Sequence, residues 1–528
     1  MFGFNDKKKD RAVPQQVVAH DGAGDAAHPI DNNKNFWHAL FPIVACGAGL
    51  FSDGYVNNVI GSVSPIFAKL YGAEWTDSNA KHYVSDIAFA GTVVGMLIFG
   101  YTSDHWSRTG SLLVSTIILI IFTALAAASY WHGETIGMFN ILTAWRFFVG
   151  IGIGGEYPAG SVACAESTGE MKSGTRNAWF ILFTNSMIDW ELRFWCFRAF
   201  LDIVAAACHN DHLETMWRTP LGIGVVFPLV LFVLRLKLKE PEEFSRESMK
   251  NTKTPYWLVL RYYGFRLFVI SAVWFLYDFG SPRRSQFSSY SFSLYSSTIV
   301  ASIYGGEGPF TTVFGWNTVI MLFYIPGTML GAPVSDRLGP RWTLIVGVTA
   351  QSIVGFIMAG CYAKLAQPSV VGAFAVVYGL FLSFGELGPG NNIGLLASKT
   401  CATGVRGQYY GIAAAVGKIG AFVGTWVFPY IQAAGGDDVA KQNQYPFYVS
   451  SSLCLLSAAL VYFLVPEIGQ DTITKEDANF RTHLESKGWD VRQLGLKKGE
   501  SADTLENNTA PMPCDKDQAF ASKEAPSR

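Results

Sequence analysis

Apolar runs of about twenty residues, separated by short polar loops, fill the chain between residues 36 and 466. A helix of roughly this length crosses the hydrocarbon core of a bilayer, because its backbone polar groups bond to one another within the segment. Half of the 528 residues are hydrophobic and only 15% are charged, which is unlike a soluble enzyme of this size. The sequence therefore predicts an all-α integral membrane protein.

Twelve such runs are present, six before and six after a charged stretch at residues 237–262. We place the spans at residues 37–61, 84–103, 111–130, 137–157, 177–208, 218–236, 264–303, 316–335, 342–363, 370–396, 407–432 and 446–465. This order predicts an N-terminal tail, an N-terminal six-helix bundle, a central loop, a C-terminal six-helix bundle and a C-terminal tail, at residues 1–35, 36–236, 237–262, 263–466 and 467–528. Both tails are polar and lack apolar periodicity, so we expect them to be mostly disordered.

Positive charge is concentrated in alternate loops. Lysine and arginine occur at residues 7–11, 108, 172–176, 235–261, 337–341 and 399–406. The intervening loops carry acidic residues such as Glu74, Glu134, Asp437 and Asp438. Because basic loops remain on the cytoplasmic side of a membrane, both tails and the central loop are predicted to be cytoplasmic.

The two halves of the chain contain similar segments at one sequence offset. The segment from Asp104 to Arg108 matches the segment from Asp336 to Arg341, and Ala165-Glu-Ser-Thr matches Ala397-Ser-Lys-Thr. Two unrelated matches at the same offset predict an internal repeat.

The pattern Gly100-x-x-x-Asp104-x-x-x-Arg108 and its second copy resemble the signature between spans of the major facilitator superfamily. In that family an acidic residue and arginines at these places join helix ends across the bundle interface. The resemblance implies the major facilitator fold, with twelve transmembrane helices in two six-helix bundles. It also implies a gating or structural role for Asp104, Arg108, Asp336, Arg337 and Arg341. The first copy departs from the family pattern, with His105 for an arginine and Ser107 for a glycine.

The fourth span contains Gly150, Gly152 and Gly155, which formally match a dinucleotide-binding fingerprint. They lie inside an apolar span and not at a strand-to-helix turn, so they predict close helix packing instead. The segment from Arg146 to Pro158 resembles the fourth span of the branch that holds fungal phosphate:proton symporters and organophosphate carriers.

Charged side chains inside apolar spans cost roughly 2.5–3.5 kcal/mol each, so those present usually face a functional cavity. Five such residues, Asp53, Arg146, Glu156, Asp278 and Lys418, can line one pathway. A carboxylate that alternates between a dry site and a charge-paired site changes its proton affinity and can act as a proton switch. The family resemblance gives proton coupling to Asp53, with Arg146 as its partner, and to Glu156 and Asp278.

The segments Phe384–Thr400 and Val405–Lys418 resemble fungal glycerophosphodiester transporters, which carry glycerophosphoinositol or glycerophosphocholine. We expect Lys418 to bind the phosphate oxyanion, with help from Tyr157, Trp274, Asn391 and Asn392. Gly390 beside Pro389 is expected to break the tenth span and expose backbone groups. The predicted function is proton-coupled import of glycerophosphodiesters by alternating access. The alternatives are an inorganic phosphate:proton symporter and a non-transporting, receptor-like or inactive copy.

Two predicted spans contain polar interruptions, at residues 189–202 and 280–293. We hypothesise a short frameshift at the first segment and the same origin or a retained intron at the second. The sequence offers no nucleophile–base or metal constellation, so we expect a transporter without enzyme activity, cofactor or metal. The expected partners are an organophosphate substrate, protons and the lipid bilayer, with no nucleic acid. We expect a monomer in the plasma membrane.

Overall fold

The computed structural model describes residues 36–76, 78, 80–188, 213–279, 303 and 310–496. All regular secondary structure in these residues is helical. Ten stretches of them are long and apolar enough to cross a membrane. The polar interruptions at residues 189–202 and 280–293, and the tail at residues 1–35, lie outside the described residues.

The helices of the first half are α1 (Phe36–Gly47), α2 (Gly49–Tyr71), α3 (Ala73–Thr76), α4 (Ala80–His105), α5 (Arg108–Ala127), α6 (Thr135–Gly155), α7 (Val162–Ser167), α8 (Arg176–Phe183), α9 (Leu213–Ile223) and α10 (Val226–Arg235). A linker helix, α11 (Glu242–Glu247), follows. The second half contains α12 (Tyr256–Phe279), α13 (Phe310–Leu322), α14 (Tyr324–Leu338), α15 (Pro340–Leu365), α16 (Val371–Gly385), α17 (Asn391–Lys399), α18 (Arg406–Ala433) and α19 (Val439–Leu464). A C-terminal helix, α20 (Thr472–Ser486), comes last, and short 3-10 turns occur at Thr168–Glu170, Pro368–Val370, Thr403–Val405 and Val491–Gln493.

Local sequence signals set several helix ends. The Ser107 hydroxyl oxygen accepts a hydrogen bond of 2.7 Å from the Gly110 N–H and so caps α5. Between α14 and α15, Gly339 has a φ of 84°, a conformation that favours glycine. Pro340 then begins α15, where its missing N–H has no helical partner to lose.

The glycines of α6 allow its backbone to touch its neighbours. A side-chain carbon on Gly150 would lie 2.1 Å from the carbonyl oxygen of Ala88 in α4. Carbons on Gly152 and Gly155 would lie 2.8 Å and 2.6 Å from side chains of α5. No side chain fits at these positions, so the predicted packing role of the three glycines is confirmed.

Among the described residues, two helix pairs make the largest contacts between the halves. Helix α4 packs against α18, and α8 packs against α14. At the first crossing, carbons added to Gly100 and Gly411 would lie 2.8 Å and 2.5 Å from backbone oxygens of the opposite half. Helices α11 and α20 lie at the same end of the molecule, where hydrogen bonds connect residues 247 and 481, and we call this the linker end.

The C-terminal segment is more ordered than its composition predicted. Helix α20 buries Ile473, Phe480 and Leu484, the last two against the start of α12 and the core of the second half. The prediction that residues 467–528 are mostly disordered is therefore wrong for residues 467–496. The reason is that three well-spaced apolar residues are enough to dock a short helix onto a surface that already exists.

Candidate functional site

In the part of the chain that the structure describes, each half contains one turn of π-helix, at Glu156–Ser161 and at Glu386–Gly390. Both turns begin with a buried glutamate directly after a glycine. Such turns re-aim side chains and are frequent at functional sites. The expected break at Pro389 and Gly390 is wrong, because the chain stays helical through the wider π turn, which accommodates a proline without an N–H donor.

A cavity that is open to solvent lies between the halves beside these two turns. Both halves contribute to its wall. Its lining combines aromatic, small and amide side chains with one buried ion pair: Leu50, Tyr157, Ser161, Phe180, Thr184, Asn185, Ile188, Trp274, Tyr277, Asp278, Pro389, Gly390, Asn391, Ile393, Gly394, Tyr410 and Lys418.

The cavity ion pair consists of Lys418 and Asp278. The Lys418 Nζ lies 3.5 Å from Asp278 Oδ2, and both residues are more than nine-tenths buried. The same ammonium lies 5.5 Å from the centre of the Tyr157 ring, which comes from the other half. Cations are attracted to aromatic faces at this distance. Five residues singled out from the sequence thus meet at one cavity, namely Tyr157, Trp274, Asp278, Asn391 and Lys418.

Asn185 forms a polar bridge between the halves at the cavity. It lies just after α8, and its Nδ2 donates hydrogen bonds to Glu386 Oε2 at 2.8 Å and to Asn391 Oδ1 at 2.9 Å. Glu386 is 1% exposed. Sequence reasoning missed both Asn185 and Glu386. The available signal for Glu386 was a second glutamate after a glycine in an apolar span, as at Glu156.

Glu156 is held away from the cavity by Arg235. The two carboxylate oxygens accept hydrogen bonds of 2.6 Å from the two terminal guanidinium nitrogens. Ser115 donates a further bond of 2.9 Å to Glu156. The charge pattern of the sequence places Arg235 among the basic residues of the central loop, but the structure buries it fully, so that assignment is wrong. The forked contact neutralises a carboxylate that would otherwise be costly inside a span.

Of the other predicted residues, Arg146 and Asn392 are not part of the cavity lining. Arg146 donates a hydrogen bond of 2.8 Å from Nε to the Val84 carbonyl oxygen. Asp53 belongs to α2, but its side chain lies outside the described part of the chain, so its pairing with Arg146 stays a prediction. Asn392 is fully buried and bonds to Ser335 and Gly388 at 2.7 Å and 2.8 Å.

Neighbouring residues of a helix point about 100° apart. Asn391 therefore faces the cavity, whereas Asn392 braces the π turn against α14. The structure does not bring Asn392 to the predicted substrate position.

Buried ions join the halves at the linker end around Asp104, Arg108, Glu166 and Arg406, which we call the first corner. Asp104 accepts hydrogen bonds of 2.8 Å from the N–H groups of residues 407 and 408, at the N-terminus of α18. Arg108 bonds to Asp104 and also to Glu166, at 3.0 Å. Arg406 reaches the same Glu166 oxygen at 3.0 Å. The carboxylates thus stabilise a helix N-terminus and two arginines of opposite halves.

The second corner consists of Asp336, Asn177, Lys399 and Gln470. Asp336 Oδ1 accepts hydrogen bonds of 3.0 Å and 3.2 Å from the first N–H groups of α8. Gln470 donates to the same oxygen at 2.9 Å, and Lys399 donates to the Asn177 side chain at 2.6 Å.

The arginines of the second motif copy take no part in this corner. Arg341 donates a hydrogen bond to the Tyr462 carbonyl oxygen, and Arg337 is exposed. Of the five residues predicted to gate or brace the interface, the structure places Asp104, Arg108 and Asp336 there.

Helix α20 packs against the outer side of the first corner. Asp477 accepts hydrogen bonds of 2.6 Å and 2.7 Å from the N–H and hydroxyl of Thr403. Arg481 makes a forked contact with Glu247 at 2.9 Å. Burial raises the pKa of Asp477 to about 6 and that of Glu243 to about 8, although Arg406 opposes both shifts.

Comparisons with known proteins agree with this architecture. Residues 41–258 and 271–480 match the family described as sugar (and other) transporter. The chain is 46% identical over 493 residues to a glycerophosphocholine permease of Candida albicans, covering 93% of this chain and 89% of that protein. It is 47% identical over 464 residues to a major glycerophosphoinositol permease of the same species, covering 87% and 84%.

The fold matches that of a proton:xylose symporter of the major facilitator superfamily, with a TM-score of 0.68 and 16% identity, over 84% of this chain and 98% of that one. The predicted all-α membrane fold is thereby confirmed. The chain is a member of the sugar (and other) transporter family and has the major facilitator fold.

Proposed function

We propose that this protein imports glycerophosphodiesters together with protons, as a monomer in a fungal plasma membrane. The observation that carries the proposal is the Lys418–Asp278 pair, buried in the wall of a cavity that both halves build. Support for the substrate class comes from two relatives whose names specify glycerophosphocholine and glycerophosphoinositol.

The charge of the cavity fits a phosphodiester. Lys418 is the one lysine or arginine among the described lining residues. An ammonium is a compact point charge, which suits the single negative charge of a phosphodiester. A phosphate dianion would favour a second cation, so this lining supports a phosphodiester over the alternative of inorganic phosphate.

The ion pair also offers a means of proton coupling. A phosphodiester that binds Lys418 competes with Asp278 for the same ammonium, whose Nζ lies 3.5 Å from Asp278 Oδ2. A buried carboxylate without a cation is costly, so substrate binding favours a proton on Asp278. Substrate and proton are then transported together. The proton neutralises Asp278 when the substrate takes its cation, and the substrate neutralises Lys418 when Asp278 is protonated.

Alternating access follows from the positions of the corners. Both corners join the halves at the linker end, and the cavity lies between the halves. With the basic loops cytoplasmic, the linker end and both tails face the cytosol, and this state is closed on the cytosolic side. Opening inward requires the two halves to rock apart at both corners.

Uptake in yeast that lacks its own phosphate and glycerophosphodiester carriers tests the proposal. Labelled glycerophosphocholine and glycerophosphoinositol are supplied with and without excess phosphate and a protonophore. We expect saturable uptake that the protonophore abolishes and phosphate does not compete away. Lys418→Met should abolish it, whereas Lys253→Met, in the exposed linker, should not.

Two results would contradict the proposal. Phosphate uptake with no glycerophosphodiester uptake would identify a phosphate symporter. No transport by a protein that reaches the plasma membrane would identify an inactive or receptor-like copy.

A further inference from the structure

The Asn185 bridge is a polar contact between the halves at the cavity itself. Both hydrogens of the Asn185 amide are used, one by the Glu386 carboxylate and one by the Asn391 oxygen. An ionised carboxylate only accepts hydrogen bonds, so it must face the NH₂ group and not the oxygen of the amide. Asn391 is itself fixed by a bond of 3.1 Å from its Nδ2 to the Thr328 carbonyl oxygen.

Glu386 lies directly behind the cavity wall. Gly390 lines the cavity, and a side-chain carbon added there would lie 2.1 Å from Glu386 Oε2. Only a glycine leaves room for the carboxylate at this place. The cavity is therefore adjacent to an acid that the π turn has aimed toward it.

The two buried glutamates of the π turns are partnered differently. Glu156 accepts a fork from Arg235 of its own half, and this contact can persist while the halves move. Glu386 accepts its 2.8 Å bond from the opposite half, across an interface that must separate during transport. A hydrogen bond to a carboxylate is roughly twice as strong as one to a neutral acceptor. The strength of the bridge thus depends on whether Glu386 holds a proton.

We propose that Glu386 is a second proton-accepting carboxyl of the transport cycle and that Asn185 transmits its charge state to the other half. The inference rests on the proposed function as a proton-coupled importer. With Glu386 ionised, the bridge holds the halves together beneath the cavity. A proton from the cavity weakens the bridge and permits the inward opening that releases substrate.

Tyr277 of α12 interacts electrostatically with Glu386, and it is also close to Tyr324 of α14, Asp278 and Cys454. Asp278 in turn pairs with Lys418. The Tyr277 hydroxyl donates to the Gly385 carbonyl oxygen at 3.3 Å, so it is engaged beside Glu386. The ion pair lies in the same wall, so the two acids share one source of protons.

Glu386→Gln in the full-length protein tests the inference, because glutamine accepts the Asn185 bond but holds no charge and takes up no proton. Two assays are compared in carrier-deficient yeast and in vesicles from it. One is accumulation of labelled glycerophosphodiester driven by a pH gradient, and the other is exchange of label for preloaded substrate without a gradient. We expect the variant to keep exchange, to lose accumulation by about tenfold and to lose its pH dependence. The matched control is Glu242→Gln, an exposed glutamate of α11.

Accumulation by Glu386→Gln with the pH profile of the unmodified protein would overturn the inference. If that variant fails to reach the membrane, Asn185→Ser decides, since it breaks the bridge whatever the charge of Glu386. Its uptake should then respond less to external pH, and an unchanged pH profile would refute the role of the bridge. Absence of both accumulation and exchange in the unmodified protein would instead refute the proposed function.

Discussion

The two corners of the linker end share a backbone arrangement and differ in their charges. In each, an aspartate from the end of one helix caps the N-terminus of a helix in the opposite half. The first corner surrounds Asp104 with two arginines and Glu166, all fully buried. The second surrounds Asp336, which is half-buried, mainly with amides. The two copies of the repeat thus share the capping aspartate, but the groups that surround its carboxylate differ, with arginines in the first corner and mainly amides in the second.

This difference predicts unequal strength. Buried ions that lose a partner are far more costly than ions near water, which solvent can stabilise. The first corner should therefore resist separation, whereas the second should open at lower cost. The cycle would then begin at the α8–α14 contact and end at the α4–α18 contact.

The largest effect is expected for Glu166→Gln. This change leaves Arg108 and Arg406 buried with a neutral group between them, and loss of one partner of a buried pair costs about 3–5 kcal/mol. Thermal unfolding of the purified protein in detergent should show a large fall in Tm, with little protein at the cell surface. Glu170→Gln, in the 3-10 turn that follows, is the control and should unfold as the unmodified protein does. Equal Tm values for both variants would show that the first corner does not hold the halves.

Asp104→Asn and Asp336→Asn compare the corners directly. Each asparagine keeps one oxygen acceptor and loses the charge that stabilises the helix N-terminus. We expect a loss of about 2–3 kcal/mol at Asp104, where Arg108 also loses its partner, and about 1 kcal/mol at Asp336. Tm and maximal uptake rate measure the two effects. Equal losses, or a larger loss at Asp336, would reverse the proposed order of opening.

The membrane helices and the cavity ion pair could be predicted because the bilayer imposes strong rules. A span has a minimum length, and a charged side chain within it is costly, so those present are usually functional. Asp278 and Lys418 could therefore be identified from the sequence alone. Arg235 was missed because it ends its helix, where sequence does not distinguish a side chain that extends to water from one that turns inward. Its inward turn depends on Glu156, which comes from another helix.

The other omissions have a related cause. The Gly/Pro stretch around Glu386 predicts a broken helix as easily as a π turn, and only the backbone shows which side chains reach the cavity. Only part of each corner could be predicted. The aspartates follow from the motif, but Arg406 and Lys399 are distant in sequence from the residues that they contact, so the motif does not identify them. Helix α20 was missed because its apolar residues are few and its docking surface belongs to other helices.

A pH-dependent effect is expected at the first corner through Glu243. Burial raises its pKa from 4.5 to about 8, although Arg406 lowers it, so the folded protein binds this proton more tightly than the unfolded chain does. Stability from Glu243 is therefore full below its ordinary pKa and is lost as pH rises through about 8. Glu243→Gln cannot ionise and should not show this loss. The difference in Tm between the variant and the unmodified protein should shift in favour of the variant between about pH 5 and about pH 8 and stay constant above that. Parallel Tm curves would show that Glu243 is not buried in the folded protein.

The smallest effect is expected for Arg341→Ala, and it tests whether the second motif copy has kept its cation. Arg341 contacts the Tyr462 carbonyl oxygen and lies 3.6 Å from the exposed Glu467, outside both corners. Exposed ion pairs contribute about 0–1 kcal/mol, so uptake and Tm should change little. Arg108→Ala is the matched variant in the first copy and should abolish transport, because it leaves Glu166 and Asp104 buried beside an empty space. A similar loss for both arginines would mean that Arg341 reaches the interface in another state of the cycle, and that the corners become alike when the molecule opens inward.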